Sequence, residues 1–247
     1  MKQCIILSFL LFLSHFTVAA QTNQKKIKVS DDIELIKLSE KAYVHVSVTE
    51  IGSFGLVSSN GLFIVQDGEA YLFDTPVTPE QTQTLTEWIQ DSLNAKVTAF
   101  IPNHWHEDCM GGIDYLHSTG VKSYANQMTI DIAKEKGLTP PNYGFTDSLS
   151  LKMKGMDVHC YYLGAGHAMD NIVVWIPSEK ILFPGCMSKD INSNWLGNVA
   201  DGDVNEWPIT VIKIIDKFPE AEIIIPGHGQ IGGIELLKHT VELLNKK

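Results

Sequence analysis

Residues 103–112 have the sequence Asn103-His104-Trp105-His106-Glu107-Asp108-Cys109-Met110-Gly111-Gly112. If the backbone is extended here, His104, His106 and Asp108 point to one side of the chain, because side chains alternate along a strand. Two imidazoles and a carboxylate on one side form most of a zinc coordination shell. We expect the glycine pair at 111–112 to permit a tight turn after the three donors. A His-x-His pair alone also occurs by chance in loops, so the remaining sequence has to decide.

The N-terminus has the pattern of a secretory signal peptide. Lys2 precedes an apolar run over residues 5–18, and small residues follow at Ala19 and Ala20. This order of a basic start, a short apolar segment and a small-residue exit predicts a signal peptide over residues 1–20. We expect the mature chain, residues 21–247, to be exported to the periplasm without remaining in the membrane. An uncleaved membrane anchor is the alternative interpretation.

The charge of the chain excludes some classes of partner. Acidic residues outnumber basic ones by 29 to 19, and every basic residue is a lysine, which gives a formal net charge of −10. We expect no nucleic-acid partner, because the sequence contains no basic stripe that could neutralise phosphates. An anionic ligand would have to be held by a lysine, a metal ion or backbone N–H groups.

The order of predicted elements indicates the fold class. Hydrophobic periodicity predicts strands at 33–48, 56–74, 96–101, 121–124, 148–152, 158–162, 172–176, 181–183 and 222–225. It predicts helices at 80–93, after 112, and at 127–136, 205–218 and 234–244. Strands followed by helices, twice over, predict an α/β (α+β) protein with two sheets face to face and helices outside, a four-layer αββα arrangement. No low-complexity linker divides the mature chain, so we predict a single domain.

Three further metal-binding side chains follow glycines at the ends of apolar runs: His167, Cys186 and His228. Each one alone would pass for an ordinary loop residue, but together with the stretch 103–112 they provide six donors. Zinc sites rarely use more than four protein ligands, so six donors suit two zinc ions. The remaining histidines of the mature chain fall within predicted strands or helices, where we expect structural or solvated roles: His45, His117, His159 and His239.

These motifs resemble those of the subclass B1 metallo-β-lactamases, zinc enzymes that open β-lactam antibiotics, and most of all the Bacteroides-type zinc carbapenemases. The resemblance runs from about Asp32 to near the C-terminus. It is carried by the motifs His104-Trp105-His106-Glu107-Asp108, Gly166-His167, Gly185-Cys186 with Lys189, Leu196-Gly197-Asn198, and Pro226-Gly227-His228-Gly229. Glyoxalase-type thioesterases, lactonases and nucleases of the same fold usually have a histidine where Cys109 stands and an aspartate where Cys186 stands.

The resemblance implies a role for each donor. His104, His106 and His167 would bind one zinc ion, and Asp108, Cys186 and His228 would bind the other. Asp108 would also take part in catalysis by orienting the nucleophile.

The resemblance also implies substrate contacts. Lys189 would hold the substrate carboxylate, and Asn198 would point its amide at the lactam carbonyl oxygen. Phe54, at the tip of a predicted hairpin, would close over the substrate, and Trp195 would lie at the pocket mouth. Two further residues would support the metals: Asp74 by orienting a zinc-binding histidine, and Cys109 as a buried thiol that binds no metal.

The function implied is hydrolysis of the β-lactam amide bond of penicillins, cephalosporins and carbapenems by metal-bound hydroxide, which confers antibiotic resistance. We expect a monomer that takes a small-molecule β-lactam. A lactonase or thioesterase of the same fold is the alternative enzyme, and a zinc-binding protein without catalysis is the alternative outside enzymes. Departures from the family pattern at Glu107, Met169, Pro184 and Trp195 leave the substrate range open.

Overall fold

A computed structural model describes residues 25–246. Two sheets form its centre, one of eight strands and one of five. The first sheet contains β1 (Lys26–Lys28), β2 (Ile33–Lys37), β3 (Ala42–Glu50), β4 (Leu56–Gln66), β5 (Glu69–Phe73), β6 (Lys96–Ile101), β7 (Lys122–Asn126) and β8 (Tyr143–Phe145). The second contains β9 (Ser148–Met153), β10 (Met156–Tyr161), β11 (Val173–Ile176), β12 (Ile181–Gly185) and β13 (Ile223–Pro226). Each sheet is therefore built from one continuous part of the chain.

Six helices surround the sheets: α1 (Pro79–Leu93), α2 (Glu107–Met110), α3 (Ile113–Ser118), α4 (Gln127–Glu135), α5 (Trp207–Lys217) and α6 (Glu235–Asn245). Helix α1 begins at Pro79, one residue before the predicted start, and the Thr78 side chain caps it by accepting a hydrogen bond from the backbone N–H of Gln81. It ends at Asn94, which adopts the left-handed conformation.

Three hydrophobic cores separate four layers. The central core lies between the sheets and joins residues such as Leu62 and Ile101 to Val174 and Phe183. An outer core packs helices α1 and α3 on the first sheet, and another packs α5 and α6 on the second. The predicted single-domain αββα architecture is confirmed.

Both sheets change from antiparallel to parallel pairing near the ligand motifs. Strands β5 to β8 pair in parallel, and β12 pairs in parallel with β13. Loops that leave the carboxyl ends of parallel strands share one edge of a sheet, and open α/β sheets place ligands at that edge. The motifs around His104, Cys186 and His228 follow β6, β12 and β13.

The stretch 103–112 is not extended throughout, so the condition under which its three donors would share one side of a strand is not met. The backbone bends over residues 103–106, and Asp108 lies in the first turn of α2. The three donors therefore converge through a bend followed by a helical turn. Helix α2 and strands β1 and β8 were not predicted, since elements of three or four residues carry too few side chains for a periodic pattern.

The glycine pair at 111–112 serves close packing. The chain does turn at residues 111–112, as expected, but neither Gly111 nor Gly112 has a positive φ, so the turn itself does not require glycine. A Cβ atom on Gly111 would lie 1.9 Å from the carbonyl oxygen of Val77, and one on Gly112 would lie 2.0 Å from Oγ1 of Thr82. These glycines allow α2 and α3 to approach the start of α1.

The predicted signal peptide, residues 1–20, lies outside the described residues. Among residues 25–246, every helix is too short or too polar to cross a lipid bilayer.

Candidate metal centre

Six metal-binding side chains converge where loops from the ends of strands in both sheets meet. Three come from the segment after β6, one from the loop after β10, and one each from the ends of β12 and β13. They are His104, His106, Asp108, His167, Cys186 and His228. Their donor atoms form three overlapping triads, in each of which all atoms lie within 4.8 Å of one another. The structure thus brings together every donor that the sequence predicted.

Three imidazoles form one end of the cluster. Nε2 of His104 lies 2.9 Å from Nδ1 of His106, and Nε2 of His167 lies 3.2 Å from that same Nδ1. Their rings meet edge to face at centroid separations of 4.5 to 5.1 Å. This arrangement points one nitrogen from each ring at a common centre.

A mixed donor set forms the other end. Oδ2 of Asp108 lies 3.2 Å from Nε2 of His228 and 3.9 Å from Sγ of Cys186. The distance from Sγ of Cys186 to Nε2 of His228 is 3.5 Å. Carboxylate, thiolate and imidazole are all zinc donors, and the thiol selects against magnesium and calcium.

Hydrogen bonds on the outer side orient two rings and fix which nitrogen of each neutral ring carries the proton. Nε2 of His106 donates to Oδ2 of Asp201 at 3.1 Å, and Nδ1 of His228 donates to the carbonyl oxygen of Ser58 at 2.9 Å. A carbonyl or carboxylate oxygen only accepts, so in a neutral ring the inward nitrogen carries a bare lone pair. Lone pairs directed at a shared centre repel each other unless a cation lies between them, so these residues fit a metal ion.

Burial keeps two of the imidazoles neutral. It lowers the pKa of His104 to about 3, and it lowers the pKa of His167 well below the usual value for histidine. A neutral imidazole is the form that coordinates a metal. Burial raises the pKa of the Cys186 thiol, so a bound metal ion is what would favour its thiolate.

Asp74 and Cys109 lie beneath the donors. Both are buried, and Oδ1 of Asp74 accepts a hydrogen bond from the backbone N–H of Asn103 at 2.5 Å. Sγ of Cys109 lies 3.2 Å from Nδ1 of His104. Among residues 25–246, the Asp74 carboxylate hydrogen-bonds to Asn103 and Cys109 and to no histidine, so its support reaches His104 indirectly.

A cavity of about 770 Å³ opens above the donors. Phe54 and Trp195 line it with side chains that are 59% and 62% exposed, and Glu107 lies at its wall. Of the other unusual residues, Met169 is exposed beside a smaller adjoining pocket and Pro184 is buried in β12. The cavity is large enough for a drug-sized molecule.

Lys189 and Asn198 line the same cavity. Lys189 is only 8% exposed, its Nζ lies 5.2 Å from the ring centroid of Trp207, and burial lowers its pKa. Oδ1 of Asn198 accepts a hydrogen bond from the N–H of Ala200 at 3.1 Å, which directs the amide. A buried ammonium group in a cavity wall attracts an anionic ligand group.

The other histidines of residues 25–246 lie outside the donor groups. His117, His159 and His239 bond to Ser123, Ser150 and the carbonyl of Ser193 respectively, which agrees with structural roles. Three cysteines of the same range are unpaired and buried: Cys109, Cys160 and Cys186.

Sequence reasoning missed Asp201 and Asn60. Asp201 receives the His106 hydrogen bond. Asn60 on β4 donates its side-chain N–H groups to the carbonyls of Pro226 and Gly229, both at 2.9 Å, and so fixes the loop that carries His228. Gly202 is the sequence feature that could have pointed to Asp201, because a Cβ atom on Gly202 would lie 2.3 Å from the carbonyl oxygen of Gly166. Only glycine lets the Asp201 loop approach so closely.

Comparisons with known proteins agree with this geometry. The family model described as the Metallo-beta-lactamase superfamily matches residues 54–228. The metallo-beta-lactamase type 2 of Bacteroides fragilis is 54% identical over 238 residues, covering 96% of this chain and 95% of that protein. Its counterpart from Bacillus cereus is 36% identical, with coverage of 86% and 82%.

Solved structures give the same result. The metallo-beta-lactamase from Pontibacter korlensis superimposes with a TM-score of 0.84 at 34% identity, covering 87% of this chain and all of that one. The metallo-beta-lactamase FIM-1 from Pseudomonas aeruginosa, determined in a mono-zinc form, has a TM-score of 0.82 at 32% identity, with coverage of 89% and 98%. With this fold, this donor cluster and these relatives, the chain belongs to the metallo-β-lactamase superfamily.

Proposed function

We propose that this protein is a zinc-dependent β-lactamase, a hydrolase that opens the amide bond of β-lactam antibiotics and so confers resistance to them. The observation that carries the proposal is the convergence of six donor side chains at the floor of a cavity that also exposes Lys189 and Asn198. Sequence identity of 54% to a metallo-beta-lactamase over nearly the whole chain supports it.

We propose two zinc ions per chain. The inward nitrogens of His104, His106 and His167 would hold one, and Asp108, Cys186 and His228 would hold the other. Six donors exceed the four that a single zinc ion takes from protein, and each set of three leaves an open coordination position. The structure of one relative in a mono-zinc form supports zinc as the metal.

The reaction needs an activated water and a stabilised oxyanion. Bound zinc supplies both, because it lowers the pKa of water towards neutrality and polarises a carbonyl oxygen. The Asp108 carboxylate, which faces the cluster centre, would orient the attacking water. The Asn198 amide would donate to the oxygen on which negative charge develops.

Lys189 would position the substrate through charge. Its ammonium group lies in the cavity wall, where burial lowers its pKa and the nearby Cys186 and Asp108 partly offset that effect. A β-lactam carries a carboxylate next to the scissile amide, and this cation would pair with it. Phe54 and Trp195 would cover the apolar substituents of the substrate, since both present exposed aromatic rings to the cavity.

We infer that the mature protein acts as a monomer in the periplasm. Export is supported by the pattern of residues 1–20. A periplasmic location suits an enzyme that has to destroy a cell-wall antibiotic before it reaches its target.

A chelator experiment tests the function. Hydrolysis of one carbapenem is followed by absorbance before and after dialysis against a chelator, and again after zinc is added back. We expect turnover to disappear and return, while circular dichroism shows that the chelated protein stays folded. Turnover that survives complete metal removal would refute the proposal.

A substrate panel distinguishes the alternative hydrolases. A β-lactam, a lactone and a thioester are compared at equal concentration with the zinc-loaded enzyme. We expect the β-lactam to be hydrolysed far faster than the other two. Preference for the lactone or thioester would instead assign this chain to another hydrolase activity of the same superfamily.

The metal count is tested with Cys186→Ser, using Cys160→Ser as the matched control because Cys160 is buried in the central core away from the donors. We expect the Cys186 variant to hold one zinc ion by elemental analysis and to lose most of its activity, while the control keeps two. Two zinc ions per chain in Cys186→Ser would contradict the ligand assignment.

A further inference from the structure

His45 is fully buried on β3 and belongs to none of the donor groups. Side chains alternate along the strand, so His45 faces the same side of the sheet as Tyr43, which packs in the core beneath α1. A buried histidine amid apolar side chains is costly unless its ring is hydrogen-bonded. Its place in the fold therefore requires an explanation.

The ring of His45 holds one specific backbone group. Its Nε2 lies 3.1 Å from the carbonyl oxygen of Asp74. A carbonyl only accepts, so Nε2 carries the proton, while Nδ1 has no partner among the described residues. Burial lowers the pKa of His45 to about 4, so the ring stays neutral and this tautomer persists at neutral pH.

Asp74 has an unusual backbone that this hydrogen bond restrains. Its φ is +57°, in the left-handed region that side chains other than glycine rarely adopt. Three bonds hold it there: its carbonyl accepts from His45, its N–H donates to the carbonyl of Ile101 at 3.2 Å, and its carboxylate accepts from Asn103 at 2.5 Å. This backbone conformation aims the carboxylate at Asn103, the residue before His104.

Gly61 leaves room for the His45 ring because it has no side chain. The two residues are direct cross-strand partners in the register of β3 and β4. A Cβ atom on Gly61 would lie 2.0 Å from Nε2 of His45 and 2.5 Å from its Cε1. Gly61 is not among the residues with positive φ, so the ring, and not the backbone, is what excludes a side chain here.

We propose that His45 is a positioning residue for the metal centre: it clamps the left-handed Asp74 peptide so that the Asp74 carboxylate holds the loop bearing His104 and His106, and Gly61 provides the space for its ring. This inference rests on the proposed zinc-dependent function and extends it to a residue that touches neither metal nor substrate.

The experiment compares His45→Gln, His45→Leu and Gly61→Ala in the full mature chain. The amide nitrogen of Gln reaches about as far as Nε2 and can donate to the Asp74 carbonyl, whereas Leu fills similar space without a donor. Zinc affinity is measured by competition with a chromophoric chelator, kcat and KM with a β-lactam, and folding by thermal denaturation. His159→Gln and His159→Leu are the matched controls, since the His159 ring hydrogen-bonds Ser150 in the second sheet and belongs to no donor group.

We expect His45→Leu and Gly61→Ala to weaken zinc binding by on the order of 10-fold, the lower end for partners that orient metal ligands. We expect His45→Gln to retain most of the zinc affinity. In His45→Leu and Gly61→Ala we expect kcat to fall more than KM changes. In the double variant His45→Ala with Gly61→Ala, the added methyl group should cause no further loss, because the ring it would displace is absent.

Full zinc affinity in His45→Leu would overturn the proposal, and so would a Gly61→Ala effect that is equally large in the His45→Ala background. If His45→Leu does not fold, His45→Gln and Gly61→Ala still test the proposal. The first keeps a side-chain N–H that can donate to the Asp74 carbonyl, and the second displaces the ring that carries it. Zinc affinity is measured without any substrate. A wild-type chain that binds zinc but hydrolyses no β-lactam would therefore refute the proposed function and leave this test intact.

Discussion

At the scale of single residues, the centre is prepared by groups that can only accept hydrogen bonds. The carboxylate of Asp201 and the carbonyl of Ser58 each take the outer N–H of a histidine and leave a lone pair facing inward. Such partners raise the basicity of a metal ligand and fix its ring. The carbonyl of Asp74 likewise accepts the N–H of His45, a histidine that lies outside the donor groups.

Lys189→Ala should raise KM about 10-fold or more and change kcat less. The ammonium group would meet a substrate carboxylate that is present in both the ground state and the transition state, so its loss weakens both equally. Steady-state kinetics with a carbapenem check this, with Lys238→Ala on the exposed side of α6 as control. A large fall in kcat at constant KM would assign Lys189 a role in the chemical step.

His45 should make the stability of the metal-free protein depend on pH. Its pKa is about 4 in the folded chain against an ordinary 6.5, so between these values the unfolded chain binds an extra proton. Stability must then fall as the pH drops from 6.5 towards 4. Between pH 7 and pH 5 we expect wild type to lose about 2 kcal/mol more than His45→Gln, by urea denaturation with chelator present. Parallel losses in the two proteins would contradict this assignment.

At the scale of elements, short connections place the chemistry. The donors lie in bends and first turns just after strands, while the strands themselves are held by two hydrophobic faces. Elements with many side chains, such as α1, were predictable from periodicity alone. Helix α2 was not, because four residues carry too few side chains for a periodic pattern, and the close approach of Gly111 to Val77 is visible only in the tertiary structure.

Thr78→Ala should lower the free energy of unfolding by about 1 kcal/mol, because the backbone N–H of Gln81 loses its capping oxygen. Thr84→Ala on the same helix is the matched control, and we expect no loss there, since alanine is the better helix former. Chemical denaturation measures both variants. Equal losses at the two positions would show that the cap contributes nothing.

Phe54→Ala should raise KM by about 10-fold without changing stability. The ring is 59% exposed at the turn between β3 and β4 and lines the cavity, so its apolar surface is available to a substrate and contributes little to the core. The control is Ile212→Ala, a half-exposed apolar residue on α5 outside the cavity. An unchanged KM, or a lowered melting temperature, would place the ring in the fold instead.

At the scale of the whole molecule, the centre joins the two sheets. His104, His106 and Asp108 follow the first sheet's β6, whereas His167, Cys186 and His228 follow strands of the second. Each proposed zinc site therefore takes ligands from both sheets. Asn60 adds a direct link, since its backbone and side chain bond to residues 226–229.

Zinc should accordingly raise the melting temperature of the chelated protein by about 10 °C. Ligand at 100 times its Kd adds about 2.7 kcal/mol per site, and a chain of this size gains about 2–4 °C per kcal/mol. Scanning calorimetry across a zinc titration measures the rise, and magnesium at equal concentration is the control, because imidazole and thiolate bind it poorly. A melting temperature that does not respond to zinc would show that the donors form no stabilising metal site.

The sequence predicted the layers, the order of most elements and all six donors, because each donor follows an apolar run and lies beside residues with recognisable chemistry. It did not predict Asp201, Asn60 or the partners of Asp74, which lie 95, 166 and 29 residues from the groups they contact. Such pairings depend on how loops from separate strands meet. A single sequence carries that information only through clues such as Gly61 and Gly202.

The division of ligands between the sheets bears on when the protein acquires its metal. The first sheet ends at Phe145 and the second begins at Ser148, so a chain that is still emerging from a ribosome or crossing a membrane holds no complete site. Zinc can bind with full affinity only after the two sheets have packed together. Scarcity of zinc around the folded chain would therefore limit how many molecules become active, not how fast each one works.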